Sequence, residues 1–198
     1  MYVVFLAGGV ASGKSTVARE LERLGAARID LDALSREVLT PQSACLKEVV
    51  RVFGGDLLLP DGTLDRTLLA ARAFASGEAV HRLEVIELPY IKRLLDGRLQ
   101  ELRAAGARVC VVEVPLLDRM EDQLDRADEV LCVVSPPGVR LAHALDRGMT
   151  EEDFLARRAH QPSDAYLRGH ATSIIENAGS LDSLLRQVQL WWDTHVGR

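Results

Sequence analysis

Residues 2–25 read YVVFLAGGVASGKSTVARELERLG, an apolar run that breaks on two glycines and re-forms as a charged helix. Gly8, Gly13, Lys14 and Ser15 stand at the fixed positions of the pattern G-x-x-x-x-G-K-[ST]. That spacing lets a tight turn aim successive backbone N–H groups at phosphate oxygens. The flanks fit the same geometry. Tyr2 to Leu6 has the unbroken apolar character of a strand buried on both faces of a parallel sheet. After the turn, Val17, Leu21 and Leu24 recur at helical spacing, Arg19, Glu20, Glu22 and Arg23 fill the other side, and Gly25 stands where a helix stop belongs. A helix N-terminus directly behind the turn adds its positive dipole end to the anion site. The expected anion cradle is Gly8, Gly9, Val10, Ala11, Ser12, Gly13, Lys14, Ser15 and Thr16. Lys14 is expected to neutralise β- and γ-phosphates, and the Ser15 hydroxyl to be a ligand of Mg²⁺.

A chain of 198 residues that is 47% hydrophobic and 27% charged can bury one good core and is short for two. Its net charge of −5 argues against a general nucleic-acid binder, so positive charge for phosphate must be local. No apolar stretch approaches a membrane span, and the N-terminal run has no basic segment before it and flows into the turn. A cytoplasmic enzyme without a membrane partner is expected; the oligomeric state is not legible. Cys45, Cys110 and Cys132 are widely spaced and read as small core residues rather than a disulfide framework or a zinc site. His81, His143, His160, His170 and His195 lack paired metal-ligand spacing and read as surface residues.

Apolar strand-like runs recur at 26–29, 107–115, 128–136 and 172–177, separated by helical stretches. With Tyr2–Leu6 they predict an α/β fold: a five-stranded parallel sheet with helices on both faces. The segment 33–106 is mostly helical and is interrupted by a Pro60-Asp61-Gly62 turn. It reads as an insertion that binds substrate or forms a lid, leaving a core of about 1–32 and 107–198. At the C-terminus, apolar residues 181, 184, 185, 188, 191 and 192 make a helical stripe behind Ser180, a good N-cap, and are expected to pack on the sheet.

A phosphate loop does not by itself separate a kinase from a switch GTPase or a motor ATPase. Asp30 and Asp32 narrow the field. They lie two apart at the carboxyl end of the second strand, where open α/β sheets place their ligand crevice. In extended backbone the two side chains share a face. One carboxylate can then hold Mg²⁺ while the other accepts a proton from an attacking hydroxyl; either can instead cap a helix starting near Ala33. Glu113, closing the third strand, is the third candidate magnesium carboxylate, since a carboxylate following four apolar residues needs a partner. Arg140, Arg147, Arg157 and Arg158 offer planar guanidinium forks suited to bidentate phosphate contacts. Asn177, at the end of the last strand, reads as a turn residue with Gly179.

These segments resemble the dephospho-CoA kinase family, a group with the P-loop kinase fold, over nearly the whole chain. The resemblance is carried by AGGVASGKST (7–16), RIDLDALSREVL (28–39), FGGDLLLPDGTLDRTLLAARAF (53–74), VVEVPLLD (111–118), RGMTEEDFLARRAHQ (147–161) and SIIENAGSLDSL (173–184), in the family's order. It implies transfer of the γ-phosphoryl group of ATP to the 3′-hydroxyl of dephospho-CoA with Mg²⁺. It also implies that Asp32 is the base, that Arg147, with Arg140 next, belongs to a lid of about 140–161 over the phosphates, that Asn177 is an adenine contact as the alternative to its turn role, and that 33–106 helps to hold the CoA-like acceptor. Ala7 and Ala11 replace the family's usual Thr and Gly, Leu88 replaces the His of a His-Pro pair, and Asp118-Arg119 replaces an aromatic-Glu pair. The last two differences fall on the acceptor side. A kinase for another nucleotide or small metabolite, and a non-catalytic nucleotide-binding switch, are the alternatives.

Overall fold

The computed structural model describes residues 1–197. Five strands, β1 (Tyr2–Gly8), β2 (Ala27–Asp30), β3 (Val109–Val114), β4 (Glu129–Val134) and β5 (Ser173–Glu176), form one parallel sheet in the order β2-β3-β1-β4-β5. The five expected runs are these strands. All six residues of β3 and of β4 are buried, the condition that their unbroken apolar sequences imply.

Helices cover both faces. Val17, Ala18 and Leu21 of α1 (Lys14–Arg23) and Leu184, Val188 and Trp191 of α9 (Leu181–His195) share a core with Val4, Leu6, Val109, Val111, Leu131, Val133 and Ile175. The alternate residue Cys132 points the other way, its Sγ donating to the Leu167 carbonyl of α8 (Asp164–His170) at 3.4 Å. Ser180 caps α9 by accepting from the Ser183 N–H at 3.3 Å, while Leu181, expected in the core stripe, is 59% exposed. Gly25 has φ of 109°, the left-handed conformation that ends α1 at the expected place. All three cysteines are free and buried. Among the described residues no helix is long and apolar enough to cross a membrane.

The chain divides into two compact units, one comprising Met1–Asp30 and the chain from Glu101 onward, the other Leu31–Gln100. The second unit holds α2 (Leu31–Val38), α3 (Ala44–Phe53), α4 (Arg66–Ala73) and most of α5 (Gly77–Ala104). Leu58 and Leu64 form an antiparallel bridge around the expected turn, which Asp61 closes by accepting from the Thr63 N–H at 2.9 Å. α2 begins at Leu31, earlier than the expected start near Ala33, because Leu31, Leu34 and Val38 make a buried helical stripe.

Within this unit, Ser35 of α2 donates to Glu87 of α5 at 3.3 Å, and burial pushes the Glu87 carboxyl up to about 7 against the opposing pull of Ser35 and Arg66. The native state therefore keeps a proton that the unfolded chain releases near pH 4.5. The contribution of Glu87 to stability falls as pH rises from about 4.5 to about 7 and is level above that. Glu87→Gln should match the wild type near pH 4.5 and exceed it at pH 8 by up to about 3 kcal/mol. Denaturant unfolding of both proteins at the two pH values checks this; an equal difference at both would refute it.

Candidate active site

The first unit builds its site at the carboxyl ends of β1, β2 and β3. β1 runs into the phosphate loop, whose geometry its residues enforce. Gly13 has φ of 100°, so a side chain there is strained. A Cβ on Gly9 would lie 2.6 Å from Arg140 Cζ. Ala11 adopts φ of 56° without being glycine, at a cost of about 1–2 kcal/mol that the surrounding contacts offset.

Those contacts grip the loop from outside. Val10 donates its N–H to Gln161 Oε1 at 2.6 Å, and its carbonyl accepts from Arg140 Nε at 2.9 Å. Asn177 Nδ2 donates to the Ser12 carbonyl at 2.9 Å, and His143 Nδ1 lies 3.4 Å from the Ala11 carbonyl. The Ser12 N–H donates to the Gly9 carbonyl at 3.1 Å. Lys14 and Ser15 open α1, where backbone N–H groups have no intrahelical acceptor. Backbone donors without an intrahelical acceptor thus stand at the helix start, whereas Val10, expected among the phosphate contacts, has both backbone groups tied to side chains behind the loop.

Glu113 is 3% exposed and lies opposite Asp30 in the β2–β3 register. Its Oε2 accepts from Lys14 Nζ at 3.2 Å and from the Ser15 hydroxyl at 3.4 Å. Its Oε1 accepts from Arg28 Nε at 2.6 Å and pairs with Arg28 Nη2. Three expected residues thus converge in one cluster: Lys14, Ser15 and Glu113. Hydroxyl and carboxylate oxygens are the hard donors Mg²⁺ takes, so the set fits that ion. Among the described residues no group of three or more His, Cys, Asp or Glu is arranged to hold a metal unaided. Mg²⁺ usually keeps waters and shares its shell with substrate phosphates, which this sparse set suits.

Beside the loop lies a cleft of about 230 Å³ lined by Gly13, Thr16, His143, Asp146, Arg147, Asn177, Gly179, Leu181 and Leu184. Arg147 is exposed there, just past α6 (Pro137–Asp146). Arg140, expected to reach phosphates from a lid, is 3% exposed and paired with Asp164 at 2.9 Å. Burial lowers its pKa from the ordinary value while Asp164 raises it. It supports the loop from behind instead of offering a free fork. Asn177 holds the loop through the Ser12 carbonyl and lines the cleft. Asp30 ends β2, whereas Asp32 is in the first turn of α2, so the shared extended face expected of the pair does not exist.

The reading of all histidines as surface residues fails for His143, and nothing in the spacing singled out Gln161 or Arg28. Gln161 ends a segment quoted above for its resemblance, just beyond α7 (Glu151–Ala159), but its role depends on a contact 151 positions back along the chain.

A five-stranded parallel sheet with a phosphate loop ending its central strand, and a buried strand-end carboxylate beside the loop lysine and hydroxyl, defines a P-loop kinase fold. The family model for dephospho-CoA kinase matches residues 2–183. A dephospho-CoA kinase from Corynebacterium diphtheriae is 42% identical over 193 residues, covering 97% of this chain and 96% of the relative. The crystal structure of TT1252 from Thermus thermophilus superposes with TM-score 0.81 at 31% identity, covering 99% of this chain and 98% of that one. Dephospho-CoA kinase from Campylobacter jejuni shares the fold, with TM-score 0.74 at 23% identity and 98% coverage of both chains. The chain belongs to the dephospho-CoA kinase family, ATP-dependent kinases of the last step of CoA biosynthesis.

Proposed function

We propose that this chain transfers the γ-phosphoryl group of ATP to the 3′-hydroxyl of dephospho-CoA, giving coenzyme A and ADP. The observation that carries the site assignment is the Lys14–Glu113–Ser15 cluster at the start of α1, inside a chain of this family. ATP phosphates lie against the N–H groups of Lys14 and Ser15, where the helix dipole favours anions. Lys14 leaves Glu113 for the β- and γ-phosphates. Ser15, with the Glu113 and Asp30 carboxylates, would hold Mg²⁺, which when bound neutralises charge between those phosphates. The nucleoside end occupies the cleft floored by Gly179, Leu181 and Leu184, with Asn177 facing it. Arg147, on the same cleft, closes over the nucleotide, and the chain between the loop contacts made by Arg140 and Gln161 moves with it as a lid that excludes water. Asp32 takes the proton from the 3′-hydroxyl as the new P–O bond forms in line with departing ADP. The helical stretch of about 33–106 holds the acceptor. A cytoplasmic location goes with this reading, in keeping with three free buried cysteines and no disulfide among the described residues.

The test is kcat/KM for dephospho-CoA, AMP and adenosine at saturating Mg·ATP, with the position of the new phosphate determined. Binding energy from the pantetheine arm can orient the 3′-hydroxyl, so truncated acceptors should lose kcat as well as affinity, by about tenfold or more in kcat/KM. If AMP or adenosine matched dephospho-CoA, or if the phosphate landed elsewhere, the kinase class would stand and the acceptor would be another nucleotide or small metabolite. Leu88 and Asp118-Arg119, where the chain departs from the family's usual residues, are the positions at which such a change would first be sought.

A further inference from the structure

Glu113 has two carboxylate oxygens with two separate sets of partners. Oε2 serves the phosphate site through Lys14 and Ser15, while Oε1 is held by the forked guanidinium of Arg28. Arg28 lies on β2, opposite Val111 in the β2–β3 register, and reaches Glu113 diagonally. It also pairs with Glu22 of α1 at 3.7 Å, so one side chain ties together the strand carrying Glu113, its neighbour and the helix carrying Lys14.

We infer that Arg28 is a positioning residue for nucleotide binding, acting through Glu113 to keep Lys14 available to phosphate. This rests on the reading of Lys14 as the phosphate-binding lysine. A carboxylate buried in the sheet needs its charge met, and two cations share that task here. Removing Arg28 leaves Lys14 as the one cation bonded to Glu113, and the carboxylate turns both oxygens to it. Lys14 must break that pair to reach ATP, so a tighter pair means weaker nucleotide binding. With Arg28 in place Glu113 needs only part of its compensation from Lys14, and Oε2 stays oriented toward Ser15. A role confined to bracing β2 against β3 would lower stability without altering the competition for Lys14.

The experiment is calorimetric titration of ATP, with metal chelated, into the full chain, so that the readout is binding by Lys14 and the loop rather than turnover. Arg28→Met should weaken ATP roughly tenfold. Glu113→Gln should bind ATP at least as well as the wild type, because Lys14 is released. Adding Arg28→Met to Glu113→Gln should change affinity by less than about twofold, since Arg28 then has no carboxylate to restrain. Unaltered affinity in Arg28→Met, or an equal loss in both backgrounds, would overturn the inference. Should Arg28→Met fail to fold, Arg28→Lys carries the same comparison. It keeps the charge but loses the fork, so a severalfold loss confined to the Glu113 background is expected and an equal loss in both backgrounds overturns it. Lys14→Ala serves as the control: retained affinity there would refute the role given to Lys14, whereas lost affinity together with any of the overturning results would refute the role of Arg28 alone.

Discussion

Lys14→Ala is expected to lower kcat by roughly 10²–10³-fold while leaving the fold intact. In the proposed reaction the ammonium would meet charge that grows on the β- and γ-phosphate oxygens as the bond to the leaving ADP breaks, in a site that lid closure would make dry, where such a contact is worth most. Little of the core depends on it. The Lys14 side chain is 16% exposed and bonds Glu113 through a single contact, while Arg28 continues to hold the other oxygen. The carboxylate is thus not stranded, and the expected stability loss is about 1 kcal/mol. Turnover measured beside a thermal melt separates the two effects. Near-wild-type turnover in a folded Lys14→Ala protein would defeat the phosphate-loop assignment.

What could be read along the chain was what local chemistry decides. Parallel strands buried on both faces must be apolar throughout, so the runs at 107–115 and 128–136 announced β3 and β4, and glycines at positions 13 and 25 marked places where φ is positive. The loop, its lysine and its hydroxyl followed from spacing. Glu113 stood out because a carboxylate in an apolar strand demands a partner, and it has three. Legibility failed where a role depends on distant packing. Arg140 had the composition of a lid arginine, yet its neighbours are Val10 and Asp164, 130 and 24 positions away. Gln161, His143 and Arg28 carry no local pattern at all, since their partners are backbone or side-chain groups brought close by the sheet. The Asp30–Asp32 pair failed for a different reason. A shared face requires extended backbone, and the stripe Leu31, Leu34, Val38 started a helix between the two aspartates.

That correction makes Asp32 the sharpest remaining test. As the second residue of α2, Asp32 occupies a position where a carboxylate favours the helix dipole by about 0.3–1 kcal/mol, with or without any chemistry. If that were all, Asp32→Asn would cost at most that much stability and change turnover severalfold at most. If Asp32 is the general base, the amide keeps the shape and cannot take the proton, and kcat should fall by about 10²–10⁴ while ATP affinity stays within about twofold. The two readings differ by orders of magnitude, so a single kcat measurement on folded protein separates them. Asp30→Asn supplies the contrast. Asp30 ends β2 opposite Glu113, the place from which a carboxylate would act on Mg²⁺, so its loss should raise the magnesium concentration needed for half-maximal rate and be largely rescued by excess magnesium. Equal falls in kcat for both variants, neither recovered by magnesium, would mean that the two aspartates share one role and that Asp32 is not the base.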